Sequence, residues 1–160
     1  MVREQRKSIE GQQKRIAVFG GGSACDAETA EKAAEVGRFL AEEDVVVYCG
    51  GRKGVMEAVC RGVADAGGTV VGILPDDHCG NANGHVTIPV ATGVGQARNV
   101  IIANSVHGAI AIAGQYGTLS EIAHTLGQGK PVVGLGSWEI KGVDRVATAE
   151  DAVTRILALI

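Results

Sequence analysis

Aromatic side chains make up only 3% of the 160 residues, and no lysine and arginine cluster is interleaved with them. The net charge is −3. These shortages argue against a nucleic-acid-binding face, which needs a basic patch and stacking platforms. Any phosphate the chain holds must be bound locally. Paired metal-ligand spacing is also missing: Cys25, Cys49, Cys60 and Cys79 form no CxxC motif. With no signal peptide in the sequence, neither a zinc ribbon nor a disulfide framework is expected, and the reducing cytoplasm is the expected compartment. Apolar runs stop at a glycine or a charge before about ten residues, too short to span a bilayer. No membrane partner is expected.

What is abundant is small and apolar. Hydrophobic residues reach 46%, mostly alanine, valine and isoleucine, and 24 glycines follow the apolar runs. This length and composition suit one compact core rather than two. Residues 1–14 are polar, without a sustained period, and read as a flexible N-terminal extension; residues 15–160 read as a single domain. Within it, valine and isoleucine runs at 15–19, 45–49, 69–74, 86–89, 109–113 and 132–135 alternate with helical patterns at 27–41, 54–66, 96–105, 118–127 and 149–159, the last capped by Thr148. Alternation of this kind predicts an α/β fold, a doubly wound parallel sheet of about six strands with helices on both faces. Strands covered on both sides are almost wholly apolar, as these are.

Ligands of such sheets collect at the carboxyl ends of the strands, which directs attention to four strand-to-helix loops. The first, Gly20-Gly21-Gly22-Ser23, and the second, Gly50-Gly51-Arg52-Lys53-Gly54, can present backbone N–H groups to an anion. Neither fits GxxxxGK[ST], and Cys25 stands where a third glycine of GxGxxG would be. Both can also be plain tight turns. The turn Gly114-Gln115-Tyr116-Gly117-Thr118-Leu119-Ser120-Glu121 brings glycine, hydroxyl and carboxylate into one junction. Thr118 can cap the helix and bond a phosphate, while the Thr118/Glu121 spacing also fits a capping box. In the fourth loop Arg98 can reach a phosphate with two nitrogens, or form a surface salt bridge.

CGGRKGVMEAV, GQARNVIIANS and AGQYGTLSEIAHTLGQGKPVVGL, in this order, resemble the Rossmann-like LOG family, formerly labelled "lysine decarboxylase-like", over roughly residues 15–137. The resemblance is greatest to its short branch, which includes molybdenum cofactor carrier proteins. LOG enzymes carry PGGxGTxxE with an upstream MxxRK. Here Gly114, Gly117, Thr118, Glu121 and Arg98 match; Ala113 replaces the proline, Gln115 a glycine and Asn99 the lysine.

For the enzymes the resemblance implies hydrolysis of a nucleoside 5′-monophosphate to free base and ribose 5-phosphate. Glu121 and Arg98 would be the catalytic pair, the carboxylate stabilising an oxocarbenium-like sugar and the guanidinium holding substrate. For the carrier branch it implies a phosphate cradle without turnover, with the molybdenum cofactor as cargo and Arg52, Lys53 and Arg98 supplying positive charge. The expected binding set is Gly20, Gly21, Gly22, Ser23, Gly50, Gly51, Arg52, Lys53, Gly54, Arg98, Asn99, Gly114, Gln115, Tyr116, Gly117 and Thr118, with no metal ligand among them. The resemblance also implies a homodimer or homotetramer, and helices 96–105 and 118–127 are the candidate surface. A non-catalytic scaffold is the third alternative.

Some residues attract attention without matching a site. Asp76, Asp77, His78, Cys79 and His85 cluster after the third strand, but their spacing fits no established metal centre, and a polar ligand-facing or interface loop is the better account. His107 and His124 read as packing or surface residues. Cys25 and Cys49 read as small apolar ones.

Overall fold

The computed structural model describes residues 12–23 and 25–160, so the expected extension at 1–14 lies almost wholly outside the described residues. Strand β1 (Arg15–Gly20) leads into α1 (Ala27–Glu42), β2 (Val46–Cys49), α2 (Val55–Asp65), β3 (Val70–Leu74) and β4 (Ile88–Ala91). A single 3-10 turn (Gly95–Ala97) precedes α3 (Arg98–Ser105), β5 (Gly108–Ile112), α4 (Tyr116–Gly127), β6 (Val132–Leu135), β7 (Val143–Val146) and α5 (Ala149–Leu159). The seven strands form one sheet in the order β4-β3-β2-β1-β5-β6-β7, and every adjacent pair is parallel.

The two-residue period of the strands divides the core into two layers. From β1 and β5, Ile16, Val18, Ile110 and Ile112 pack with α1, α2 and α5 on one face. The alternating Ala17, Phe19, Ala109 and Ala111 pack with Ile102 of α3 and Ile122 of α4 on the other. Both faces are covered, as the continuous apolar runs require.

Three local expectations are corrected. A seventh strand, β7, reads Val-Asp-Arg-Val; it is an edge strand paired to β6 alone, so Asp144 and Arg145 cost it little, and its sequence lacks the apolar run expected of a covered strand. β4 starts at Ile88 rather than residue 86, because Val86 packs against the core ahead of the strand. The fourth helical segment starts at Tyr116, not Thr118. Thr118 is therefore a first-turn residue, and no capping box forms with Glu121. Gln115, in extended backbone (φ −120°, ψ −152°), occupies the N-cap position instead.

Candidate functional site

The order of the sheet fixes where a ligand can enter. From β1 the chain winds outward through β2, β3 and β4, then returns to pair β5 on the other side of β1. Loops leaving β1 and β5 consequently diverge to opposite faces and leave a crevice between them. A cleft of about 340 Å³ lies there, lined by Gly20–Ser23 of the β1 loop, Arg52 and Met56 at the start of α2, and Gln115, Gly117, Thr118 and Glu121 at the start of α4. Pro75, Gln96, Arg98 and Asn99 close the side toward α3.

Arg98 is only 6% exposed, which overturns the surface salt bridge as its role. Its Nη1 donates to the carbonyls of Gly50 (2.7 Å) and Ile73 (2.5 Å), and its Nε to Asn99 Oδ1 (3.1 Å). Asn99, where LOG enzymes have lysine, thus orients the arginine from within the site. Gly50 makes room for it: a Cβ there would stand 2.7 Å from both terminal guanidinium nitrogens and 2.6 Å from Met56 Sδ. Across the cleft Glu121 is 6% exposed. Burial pushes its carboxyl up to about 8, with the charge of Arg98 opposing the shift. This favours the protonated form at neutral pH. Arg52 completes the charged lining, its Nη1 held 2.8 Å from Asp76 Oδ2.

The helix ends differ in a way that bears on ligand choice. α1 is capped by Asp26, which accepts from Thr29 N at 2.7 Å, and α5 by Thr148, which accepts from Asp151 N at 3.1 Å. α2 and α4, whose first turns line the cleft, have no side-chain cap. First-turn N–H groups left without a side-chain acceptor, at the positive end of the helix dipole, suit an anion.

Left-handed backbone turns the chain from β5 into α4: Ala113 has φ +47° and Gly114 φ +101°. At Gly114 a Cβ would collide with the Thr118 side chain. Ala113 is strained, since a left-handed alanine costs about 1–2 kcal/mol. Ala113→Gly is expected to raise stability in urea denaturation by about 0.5–1 kcal/mol, the relief exceeding the added unfolded-state entropy. Proline, the residue of the LOG pattern, is locked near φ −65° and would also remove the Ala113 N–H that donates to Leu135 O at 3.3 Å. Ala113→Pro is expected to cost about 3 kcal/mol or more. A stable proline variant would show that the turn relaxes freely.

Of the expected binding residues, Gly20, Gly21, Gly22, Ser23, Arg52, Arg98, Asn99, Gln115, Gly117 and Thr118 line the cleft with Glu121. The others do not. Gly50 supports Arg98, Gly54 packs beneath the backbone of Gly21 and Ser23, and Gly51 and Gly114 (φ +69° and +101°) shape their turns. Lys53 is exposed outside the lining, and Tyr116 is 81% exposed. Sequence reasoning missed Met56, Pro75 and Gln96. Met56 and Gln96 fall within loops already under suspicion, but Pro75 follows β3 and carries no local signal.

The acidic loop after β3 resolves into packing contacts: Asp76 holds Arg52 and accepts from Asn81 Nδ2 at 3.1 Å, while Asn83 Nδ2 donates to the Arg52 carbonyl at 2.8 Å. His107 Nδ1 accepts from the Arg15 backbone at 3.1 Å, and His124 lies in the last turn of α4. Cys49 is buried with its sulfur 3.4 Å from that of Cys60, and Cys25 is half-buried against the core.

The model of the SLOG cluster4 family matches residues 13–158. An uncharacterized protein of Archaeoglobus fulgidus is 45% identical over 141 residues, covering 86% of this chain and 91% of that protein. A probable cytokinin riboside 5′-monophosphate phosphoribohydrolase of Oryza sativa subsp. japonica is 32% identical over 71% of this chain, which spans 52% of the rice protein's length. Among solved structures, the molybdenum cofactor binding protein of Rippkaea orientalis superposes with a TM-score of 0.87 at 31% identity, covering 92% of this chain and 98% of that one. The molybdenum cofactor carrier protein of Chlamydomonas reinhardtii superposes with a TM-score of 0.82 at 31% identity, over the same shares of the two chains.

Proposed function

We propose that this chain, which belongs to the SLOG cluster4 family, is a binding protein for a small phosphorylated ligand of nucleotide or pterin type, held without turnover. The observation that carries the reading is a buried arginine and an uncapped helix N-terminus facing one cleft, in which burial pushes the Glu121 carboxyl upward. A phosphate placed against Gly117 and Thr118 meets backbone donors and the charge of Arg98. It meets no opposing carboxylate, because Glu121 keeps its proton. The likeness to molybdenum cofactor carriers supports a molybdopterin-type phosphate as the cargo.

Hydrolysis of a nucleoside monophosphate is the second reading, favoured by Arg98 and Glu121 facing the same cleft as in the LOG pattern. Stabilising an oxocarbenium-like sugar requires the ionised carboxylate, and a Glu121 pKa of about 8 leaves that form in the minority at neutral pH. Apolar residues exposed on the edge strand β4, the loop after it and α3, namely Ile88, Val90, Val94 and Ile101, support self-association into a homodimer or homotetramer.

Incubation with AMP at pH 7 is expected to release no free adenine, while saturating AMP or inorganic phosphate raises the melting temperature. At a hundredfold excess over Kd, linkage amounts to about 2.7 kcal/mol, or roughly 5–10 °C for a domain of this size. Fast adenine release that is lost in Glu121→Ala would overturn the carrier reading. No thermal shift with AMP, phosphate or a pterin phosphate would leave only a scaffold. Native mass spectrometry of freshly purified protein would weigh any bound cargo directly.

A further inference from the structure

A second pocket, larger than the cleft at about 480 Å³, opens at the carboxyl ends of β5, β6 and β7. None of the loops singled out in the sequence predicts it. Its lining includes the buried Ile112 and Leu135 and the half-buried Val146, with Trp138 and the cations Lys32 and Arg145 also contributing. Its volume lies within the range of sites for small organic molecules.

The placing of Trp138 is hard to explain as packing alone. The chain has two tyrosines, two phenylalanines and one tryptophan, and two of these five meet here on the surface. The Trp138 indole N–H donates to the Gln115 carbonyl at 3.1 Å, and the Tyr116 ring lies 6.1 Å away at 31°. The indole is thereby held from two sides, as a stacking surface would be. Among the described residues Lys32 pairs with Glu28 at 2.7 Å, and Arg145 pairs at 2.6 Å with Glu139, which itself lines the pocket and which an incoming anion would have to displace. Such exposed pairs are worth little, so an anionic ligand group can displace them at small cost.

The two cavities are neighbours along the chain but separately lined. Ala113 belongs to this pocket and Gln115 to the cleft. We infer that the pocket beside Trp138 is a second binding site, built for a planar heteroaromatic ring bearing an anionic substituent and distinct from the phosphate cleft. The ring would stack on Trp138 above the apolar floor. Its anionic group would meet Arg145 and Lys32, the arginine able to bind a carboxylate with two nitrogens.

The test is isothermal titration of pterin-6-carboxylate into the full chain, first alone and then with saturating inorganic phosphate. Binding that persists in phosphate, and that falls at least tenfold in Ala147→Trp, is the expected result. Ala147 is an exposed residue of the pocket lining, so the new indole fills the space without entering the core. Arg145→Ala is expected to weaken binding by about two- to fivefold, because a pair to so exposed an arginine is worth no more than about 1 kcal/mol. Absence of binding, displacement by phosphate, or unchanged affinity in Ala147→Trp would each overturn the inference. Failure here with the phosphate-induced thermal shift intact would leave the cleft reading standing.

Discussion

At pH 8.5 the Glu121→Gln variant is expected to melt well above the parent chain, and below pH 4.5 the two are expected to melt together. The native Glu121 carboxyl keeps its proton up to about 8, whereas an unfolded one releases it near its ordinary value of 4.5. Between those values the folded chain binds more protons than the unfolded chain, so the parent loses stability as pH rises through the window. The contribution is fully present below about 4.5 and gone above about 8. Its size is roughly 3–5 kcal/mol, which for a domain of this length corresponds to about 10 °C. Glutamine keeps the shape and cannot ionise, so that part of the pH dependence disappears. Thermal melts of both proteins from pH 4 to 9 decide the matter; parallel curves would mean that the cleft solvates the charge.

Gly50→Ala is expected to preserve the fold and remove most of the phosphate response. The backbone at Gly50 is not left-handed, so alanine is conformationally acceptable there, but its methyl carbon would occupy space held by the Arg98 guanidinium and Met56 Sδ. Arg98 must then leave the carbonyls of Gly50 and Ile73. Losing one charge-assisted contact to the ligand costs about 1.5–3 kcal/mol, a weakening of about tenfold to a hundredfold. Circular dichroism should remain that of the parent while the phosphate-induced rise in melting temperature shrinks. A parent-like rise in this variant would place the anion away from Arg98.

The inner strands of the sheet, β1, β3, β5 and β6, were legible because each is an apolar run covered on both faces. Gly117, Thr118 and Arg98 were legible as residues of the strand-to-helix loops that line the cleft, because glycines and a helix start occur together there. Local sequence is silent about what distance brings together. Nothing around Arg98 announces that the carbonyls of residues 50 and 73 will bury it. The spacing of Thr118 and Glu121 suggested a cap because spacing does not reveal where a helix begins; the left-handed Ala113–Gly114 pair moves that start back to Tyr116. Segment 136–146 has neither a helical nor a strand period, so β7 and the Trp138 pocket went unread together.

The return of the chain to β1 also sets a timetable. Gly20–Ser23 emerges early in synthesis, but Thr118 and Glu121 follow about a hundred residues later, at roughly 5–20 residues per second. Until β5 docks along Ile16–Gly20, one wall of the cleft does not exist. A half-made chain therefore lacks the complete cleft, whose walls come together only when the central strand is paired on both sides. A ligand bound in the cleft would therefore stabilise the finished sheet and offer nothing to an unfinished one.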